Sequence, residues 1–344
     1  MNAMTDTRHA PVAHPTHKFK LLLRREFWEH RGGFLWAPVV AGAIFLLLST
    51  MGILVAEVAA RRAASHGDLM FDGQHVRING LDLAAITSKM TPEDARQLAG
   101  GIDLSLLMAS SWPFIVLAFV VFFYCLGALY DERKDRSVLF WKSLPVSDAE
   151  TVLSKVASAT VVAPVLAAGA ALATMLGFLV VVSLFVLVHG GNPLRLLWGP
   201  ADPFELATQL VASVPVYALW SLPTVGWLLL CSAWARSKPF LWAIMIPVFA
   251  GIFVSWFDLM HLFNLESAWF WKNVVARLLL SGVPGSWMRL DNPEHLQGPA
   301  AVVHLINLRA TWSALLTPQL WIGTGAGAAM IAVAIRLRRW RDDN

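Results

Sequence analysis

Side chains able to act on another molecule are few in this chain. Ser286, Asp291 and His295 have the types of a nucleophile, an orienting acid and a base. They lie outside any Gly-x-Ser-x-Gly turn of the kind that exposes a nucleophile, so a membrane hydrolase is not expected. His66, Met70, His75, Met260, His261, His295 and His304 are imidazole and thioether donors suited to soft metals. Their spacing forms no tight cluster, and no metal site is expected. Cys125 and Cys231, the only two cysteines, fall inside apolar runs, which argues against a disulfide framework or zinc. A phosphate cradle of the form GxxxxGK[ST], whose backbone amides and lysine hold a nucleotide, is absent. What remains is binding chemistry. Residues 130–155, YDERKDRSVLFWKSLPVSDAETVLSK, set Phe140 and Trp141 among Arg133, Lys134, Arg136 and Lys142. Aromatic anchors rimmed by cations have the composition of a protein-contact hot spot. The same pair suits the membrane interface or packing beneath a helix bundle, and composition leaves these readings level.

The elements that must carry this segment follow from hydropathy. Of 344 residues, 57% are hydrophobic and 15% charged, against roughly 25% charged in soluble domains. Six stretches lack Asp, Glu, Lys and Arg: Gly32 to Ala56, Leu104 to Tyr130, Val156 to Leu194, Leu206 to Ala235, Pro239 to Phe257 and Ala310 to Ile335. Each reaches the roughly 18 to 20 residues a helix needs to cross about 30 Å of hydrocarbon. The Val156 stretch exceeds one crossing, and His189, Gly190, Gly191 and Pro193 mark its exit. The expected fold is an all-α membrane protein with six transmembrane helices over 32–335.

Lys and Arg are about three times as dense in 1–31, 131–155, 234–238 and 336–344 as in the segments on the other side. Positive flanks stay inside, so both termini, the 131–155 loop and the basic tail 336–344 are expected in the cytoplasm. Loops 57–106 and 258–318 are then outside. The formal charge of +4 reflects this anchoring, and no nucleic-acid partner is implied. The first 31 residues hold no apolar core of a signal peptide, so the first span is expected to anchor the chain. Within them, 17–31 reads as an amphipathic interfacial helix with Phe19, Leu22, Leu23 and Phe27 on one side and Lys and Arg on the other. The alternative is an extension of the first span.

Outside, Phe71-Asp72-Gly73 and Asn79-Gly80 are turn signals, and Thr91-Pro92-Glu93-Asp94 is a helix start. Together they predict a small cap of one or two helices. A short helix is expected from Ser267 to Ser281, stopped by Gly282, Pro284 and Gly285. Pro164, Pro215, Pro223 and Pro247 lie inside spans, where they free carbonyls and bend helices. Gly323 and Gly327 form a GxxxG pair, which serves either dimerisation or internal packing.

In the 131–155 loop, Ser147 and Glu150 are spaced as a capping box, with Pro145 just before. The helix they start should run through Lys155 into the third span. "DRSVLFWKS" makes one or two turns of helix ended by Pro145, since the residue before proline resists the helical region.

This segment resembles the cytoplasmic loop of type-2 ABC transporter permeases. The residues that carry the likeness are Glu132-Arg133-Lys134, then Ser137-Val138-Leu139-Phe140-Trp141, then Ser143-Leu144-Pro145-Val146-Ser147, and Lys155. Arg136 stands where many members have Gly, and Lys142 replaces a usual apolar residue. The likeness extends to six spans, termini inside, a leading amphipathic helix and a large last outer segment.

The resemblance implies a coupling helix seated in a cleft of a separate ABC ATPase subunit. Glu132, Arg133, Lys134, Arg136, Ser137, Phe140, Trp141, Lys142 and Pro145 would form that interface, stiffened by the Ser147–Glu150 cap. ATP and magnesium would sit on the partner, with no cofactor in this chain. A second permease subunit, as a homodimer, completes the expected assembly in a bacterial inner membrane, amid its lipids. The cargo expected is a hydrophobic or amphipathic compound. The alternative is a non-transport membrane component of an ATP-driven assembly or maturation complex. Spans without internal charge argue against an ion-coupled carrier, which needs ionisable or polar groups at membrane depth.

Overall fold

The computed structural model describes residues 15–66, 70–71, 74–75, 91–136, 145–261, 266–288 and 307–341. Helix dominates, because an apolar backbone in lipid must satisfy its own N–H and C=O groups. Helix α1 (Pro15–Arg31) passes a kink at His30 and a π-turn (Gly32–Trp36) into α2 (Ala37–His66). Met70–Phe71 (β1) pairs antiparallel with Gln74–His75 (β2), and the turn signal between them, Asp72-Gly73, lies outside the described residues. Helix α3 (Pro92–Gly127) leads into the short α4 (Tyr130–Lys134). Helix α5 (Asp148–Ala157) continues through a π-segment (Ser158–Val162) into α6 (Ala163–Val188). Helices α7 (Pro203–Trp220), α8 (Leu222–Trp234) and α9 (Pro239–Leu259) follow. After α9 come α10 (Ser267–Phe270), a π-turn (Trp271–Val275) and α11 (Ala276–Leu280), then α12 (Leu308–Ser313) and α13 (Pro318–Arg341).

Among the described residues, five continuous helical stretches are long and apolar enough to cross a membrane, and there are six if the pair α7–α8, bent by 48°, is counted as one span. The expected exit after the third span is a turn at His189–Gly190, where Gly190 takes a φ of +73°. Two boundaries differ from expectation. Helix α2 runs ten residues past Ala56, and the helix that starts at Pro92 is no separate cap but the first turns of the second span. The reason is continuity: Ala, Leu and Ile between Pro92 and Leu104 supply helix propensity, and the glycine pair Gly100-Gly101 does not break it.

The core joins α3, α5, α6, α7, α8 and α13. Leu117, Val121 and Cys125 meet Ala159, Ala163 and Ala167, and Val225, Leu228 and Leu229 meet Leu320 and Ile331. Small residues at a spacing of four let backbones come close where lipid offers no hydrophobic drive to association. The closest approach is α8 on α13. A Cβ on Gly226 would lie 2.6 Å from the carbonyl oxygen of Gly327, and one on Gly327 would lie 2.5 Å from the carbonyl of Leu222. The GxxxG pair therefore packs within the chain, against the break between α7 and α8.

That break is chemically specified. Pro223 has no N–H to give the carbonyl of Leu219, so the helix cannot continue straight. The hydroxyl of Thr324 on α13 donates to this carbonyl instead, at 3.2 Å. The segment after α11 secures the other side. Tyr217 Oη donates to the carbonyl of Gly282 at 2.9 Å, and Trp220 Nε1 donates to Ser286 Oγ at 3.0 Å. Arg277 stacks its guanidinium 3.7 Å from the centre of the Trp220 ring. Burial lowers the Arg277 pKa to about 10, which leaves it charged at neutral pH. Pro215 and Pro247, by contrast, sit inside helices that continue past them.

Candidate functional site

The segment 131–155 leaves the bundle at the end of α4 and returns at α5, and ion pairs and hydrogen bonds hold both ends. Lys155 on α5 is 2% exposed, and its Nζ lies 3.0 Å from Glu26 Oε1 of α1 and 3.0 Å from Glu132 Oε1 of α4. Arg338 of α13 lies 2.7 Å from Glu132 through Nη1 and 3.1 Å from Asp148 through Nε. Tyr124 of α3 donates to Glu26 Oε2 at 2.7 Å. Arg25 stands at the edge, 3.9 Å from Glu26 and 4.0 Å from Glu132.

Three carboxylates and two buried cations thus form one lattice across four chain segments, with Arg25 as a third, half-buried positive charge. Buried charge is tolerated only when paired and hydrogen-bonded, so the lattice fixes these helix ends relative to one another. It also puts the N-terminal helix, the C-terminal helix and the 131–155 segment on one face of the bundle.

The fourth span joins the same lattice. Ser232 Oγ of α8 donates to the carbonyl of Leu126 and accepts from the amides of Leu129 and Tyr130. These are the backbone groups freed where α3 ends. Arg133 donates to the carbonyls of Ser232 and Ala235 at 2.6 and 2.9 Å. The start of the segment is therefore bound to the end of α8.

At the return end the capping box is present. Ser147 Oγ accepts from the Glu150 amide at 3.1 Å, and Glu150 Oε2 accepts from the Ser147 amide at 2.8 Å. Lys18 of α1 donates to the carbonyl of Pro145 at 3.2 Å.

The residues expected at a partner surface divide into three groups. Lys134, Arg136 and Pro145 are exposed. Ser137, Phe140, Trp141 and Lys142 lie outside the described residues, as do Asp291 and His295. Glu132 faces inward, and Arg133 is half-buried on α8. Glu132, expected at the partner surface, has its carboxylate held between Lys155 and Arg338.

Arg136 takes a φ of +56°, the left-handed conformation that glycine adopts freely and other residues adopt at a cost. This gives a physical reason for glycine to be favoured at the position.

Glu26, Tyr124, Asp148 and Arg338 were not singled out from the sequence. Two of them carried a signal. Glu26 follows Leu22 by four residues on the same face of α1, where an acid interrupts an apolar stripe. Arg338 continues the buried stripe Ile331 and Ala334, so a charge occupies a core position.

An open cleft of about 950 Å3 beside the lattice is lined by Arg25, Glu29, His30, Tyr124, Asp131 and Lys155 among others. Among the described residues, no three His, Cys, Asp or Glu side chains converge as metal ligands. No family model matches the chain, and neither the curated proteins nor the solved structures contain a match.

Proposed function

We propose that this chain is the permease subunit of an ATP-driven exporter of the ABC type, coupled through residues 131–155 to a separate ATPase subunit. In this reading the face bearing both termini is cytoplasmic, the membrane is a bacterial inner membrane, and a second permease copy completes the path. ATP and magnesium are held by the partner. The cargo is a hydrophobic or amphipathic compound.

One observation carries the reading: the exit and return of the 131–155 segment are tied to α1 and α13 by a buried charge lattice and to α8 by hydrogen bonds. A force applied to a loop on a flexible base is lost in the loop. Here the base is a set of helix ends whose relative displacement would strand buried charges, so displacement of the segment is passed to the spans as a unit. The capping box adds to this, because it stiffens the first turn of the helix that becomes the third span. Lys134 and Arg136, exposed on the approach to Phe140 and Trp141, give the cationic rim that steers and registers an acidic partner surface.

The test is a tagged chain purified from native membranes, with co-purifying ATP hydrolysis measured for the parent and for Arg136→Glu combined with Phe140→Ala and Trp141→Ala. The reading requires hydrolysis with the parent and its loss with the variant, while the variant remains inserted and monodisperse. Equal hydrolysis from both proteins defeats it.

A further inference from the structure

Away from the terminal face, α3, α7 and the turn after α11 line a half-open cavity of about 270 Å3. This is nearly twice the roughly 150 Å3 apolar cavity that takes up one benzene. Phe114, Leu206, Tyr217 and Met288 contribute apolar wall, and among the described residues no Asp, Glu, Lys or Arg lines it. The polar wall groups are mostly engaged: Ser110, Ser213 and Tyr217 donate their hydroxyls to backbone carbonyls.

Two groups break this pattern. Gln209 and Trp287 both line the cavity and are 7% and 8% exposed, and Gln209 Oε1 and Trp287 Nε1 find no hydrogen-bond partner among the described residues. The other end of the Gln209 amide is held, since Nε2 donates to Glu205 at 3.0 Å. A buried acceptor and a buried donor left unmade cost about 1–3 kcal/mol each, so a ligand group that reaches either one gains affinity.

We propose that this cavity binds a small neutral amphiphile, an apolar body bearing one hydroxyl or amide group, which donates to Gln209 Oε1 and accepts from Trp287 Nε1. Both atoms are covered in the present side-chain arrangement. The terminal torsion of Gln is broad, so a small rotation brings its oxygen into reach of the ligand. An anion or cation is disfavoured because no countercharge lines the wall among the described residues and burying an unpaired charge is costly. The inference deepens the exporter reading by naming a cargo class. It rests on that reading only for the word cargo, since binding needs neither ATP nor an ATPase.

The experiment is photolabelling of the full chain in nanodiscs with a diazirine-bearing octanol, and in parallel with the diazirine-bearing octane of the same length. Labelled residues are mapped by mass spectrometry. The octanol is expected to label cavity residues in preference to the octane. Gln209→Leu and Trp287→Phe are each expected to reduce octanol labelling about three- to tenfold, the loss of one hydrogen bond, without changing octane labelling. Ser213→Leu, which fills the cavity, is expected to abolish labelling while the protein elutes as a single folded species. Equal labelling by both probes overturns the proposal, because it would mean an apolar seam occupied without recognition. So does an absence of cavity labelling in folded protein, or destabilisation by Gln209→Leu with octanol labelling unchanged. Failure here with ATP hydrolysis still coupled to residues 131–155 would remove the site and leave the exporter reading standing.

Discussion

Replacing Lys155 with Met keeps side-chain length and apolar volume and removes one charge from the lattice. The consequences differ for its two partners. Glu132 retains Arg338 at 2.7 Å, so its carboxylate stays paired. Glu26, 1% exposed, retains the Tyr124 hydroxyl at 2.7 Å and, only at 3.9 Å, the Arg25 guanidinium and the His30 imidazole. Lys155→Met therefore strands one buried carboxylate. Breaking a buried pair from one side costs about 3–5 kcal/mol, or about two to nearly four powers of ten in the folded population.

The compensating change is Glu26→Gln, which removes the stranded charge. In the Lys155→Met background it should recover most of the loss, whereas alone it should destabilise. The coupling between the two sites should be about 2–3 kcal/mol, within the range for residues of one network. The assay is denaturant-driven unfolding in mixed micelles, followed by the fluorescence of the 16 tryptophans, for parent, both single variants and the double variant. A loss below about 1 kcal/mol for Lys155→Met would equal that of an ordinary exposed pair. That result, or a double variant less stable than either single one, would refute the reasoning that this lattice fixes the helix ends.

Five further outcomes are expected. Gly327→Ala should cost about 1–3 kcal/mol in the same unfolding assay by overpacking, because its Cβ would meet the backbone of Leu222. Gly325→Ala, with nothing within 4 Å, should be neutral or gain up to about 1 kcal/mol. Thr324→Val keeps shape and leaves the carbonyl of Leu219 unpaired, so a loss of about 1–3 kcal/mol is expected, with faster hydrogen exchange near the α7–α8 break. Ser147→Ala should cost about 1 kcal/mol and speed amide exchange selectively in the first turn of α5. Arg136→Gly should leave stability unchanged or raise it by about 1 kcal/mol, since it relieves a left-handed residue. The same substitution would weaken ATPase association if the Arg136 side chain contributes to the contact.

Much of this protein was legible in order along the chain. The apolar stretches predicted six membrane-length helices, and the described residues hold five, or six with the bent α7–α8 pair counted as one, because the length needed to cross hydrocarbon is a property of sequence alone. The Ser147–Glu150 cap, the start at Pro92, the exit at His189–Gly190 and the short helix from Ser267 were readable because capping and turn chemistry act within a few residues.

Three decisions belonged to the tertiary structure. The GxxxG pair left dimerisation and internal packing open, and the approach of α13 to Leu222 and Pro223 decided for packing. Glu132 read as part of a charged surface run, yet Lys155 and Arg338, reaching it from elsewhere in the chain, turned it inward. Gln209 and Trp287 had no relation in the sequence, and they share a cavity because α7 and the turn after α11 converge. In each case the deciding partner is distant along the chain, and the energy of a buried charge or an unpaired amide depends on what the fold brings beside it.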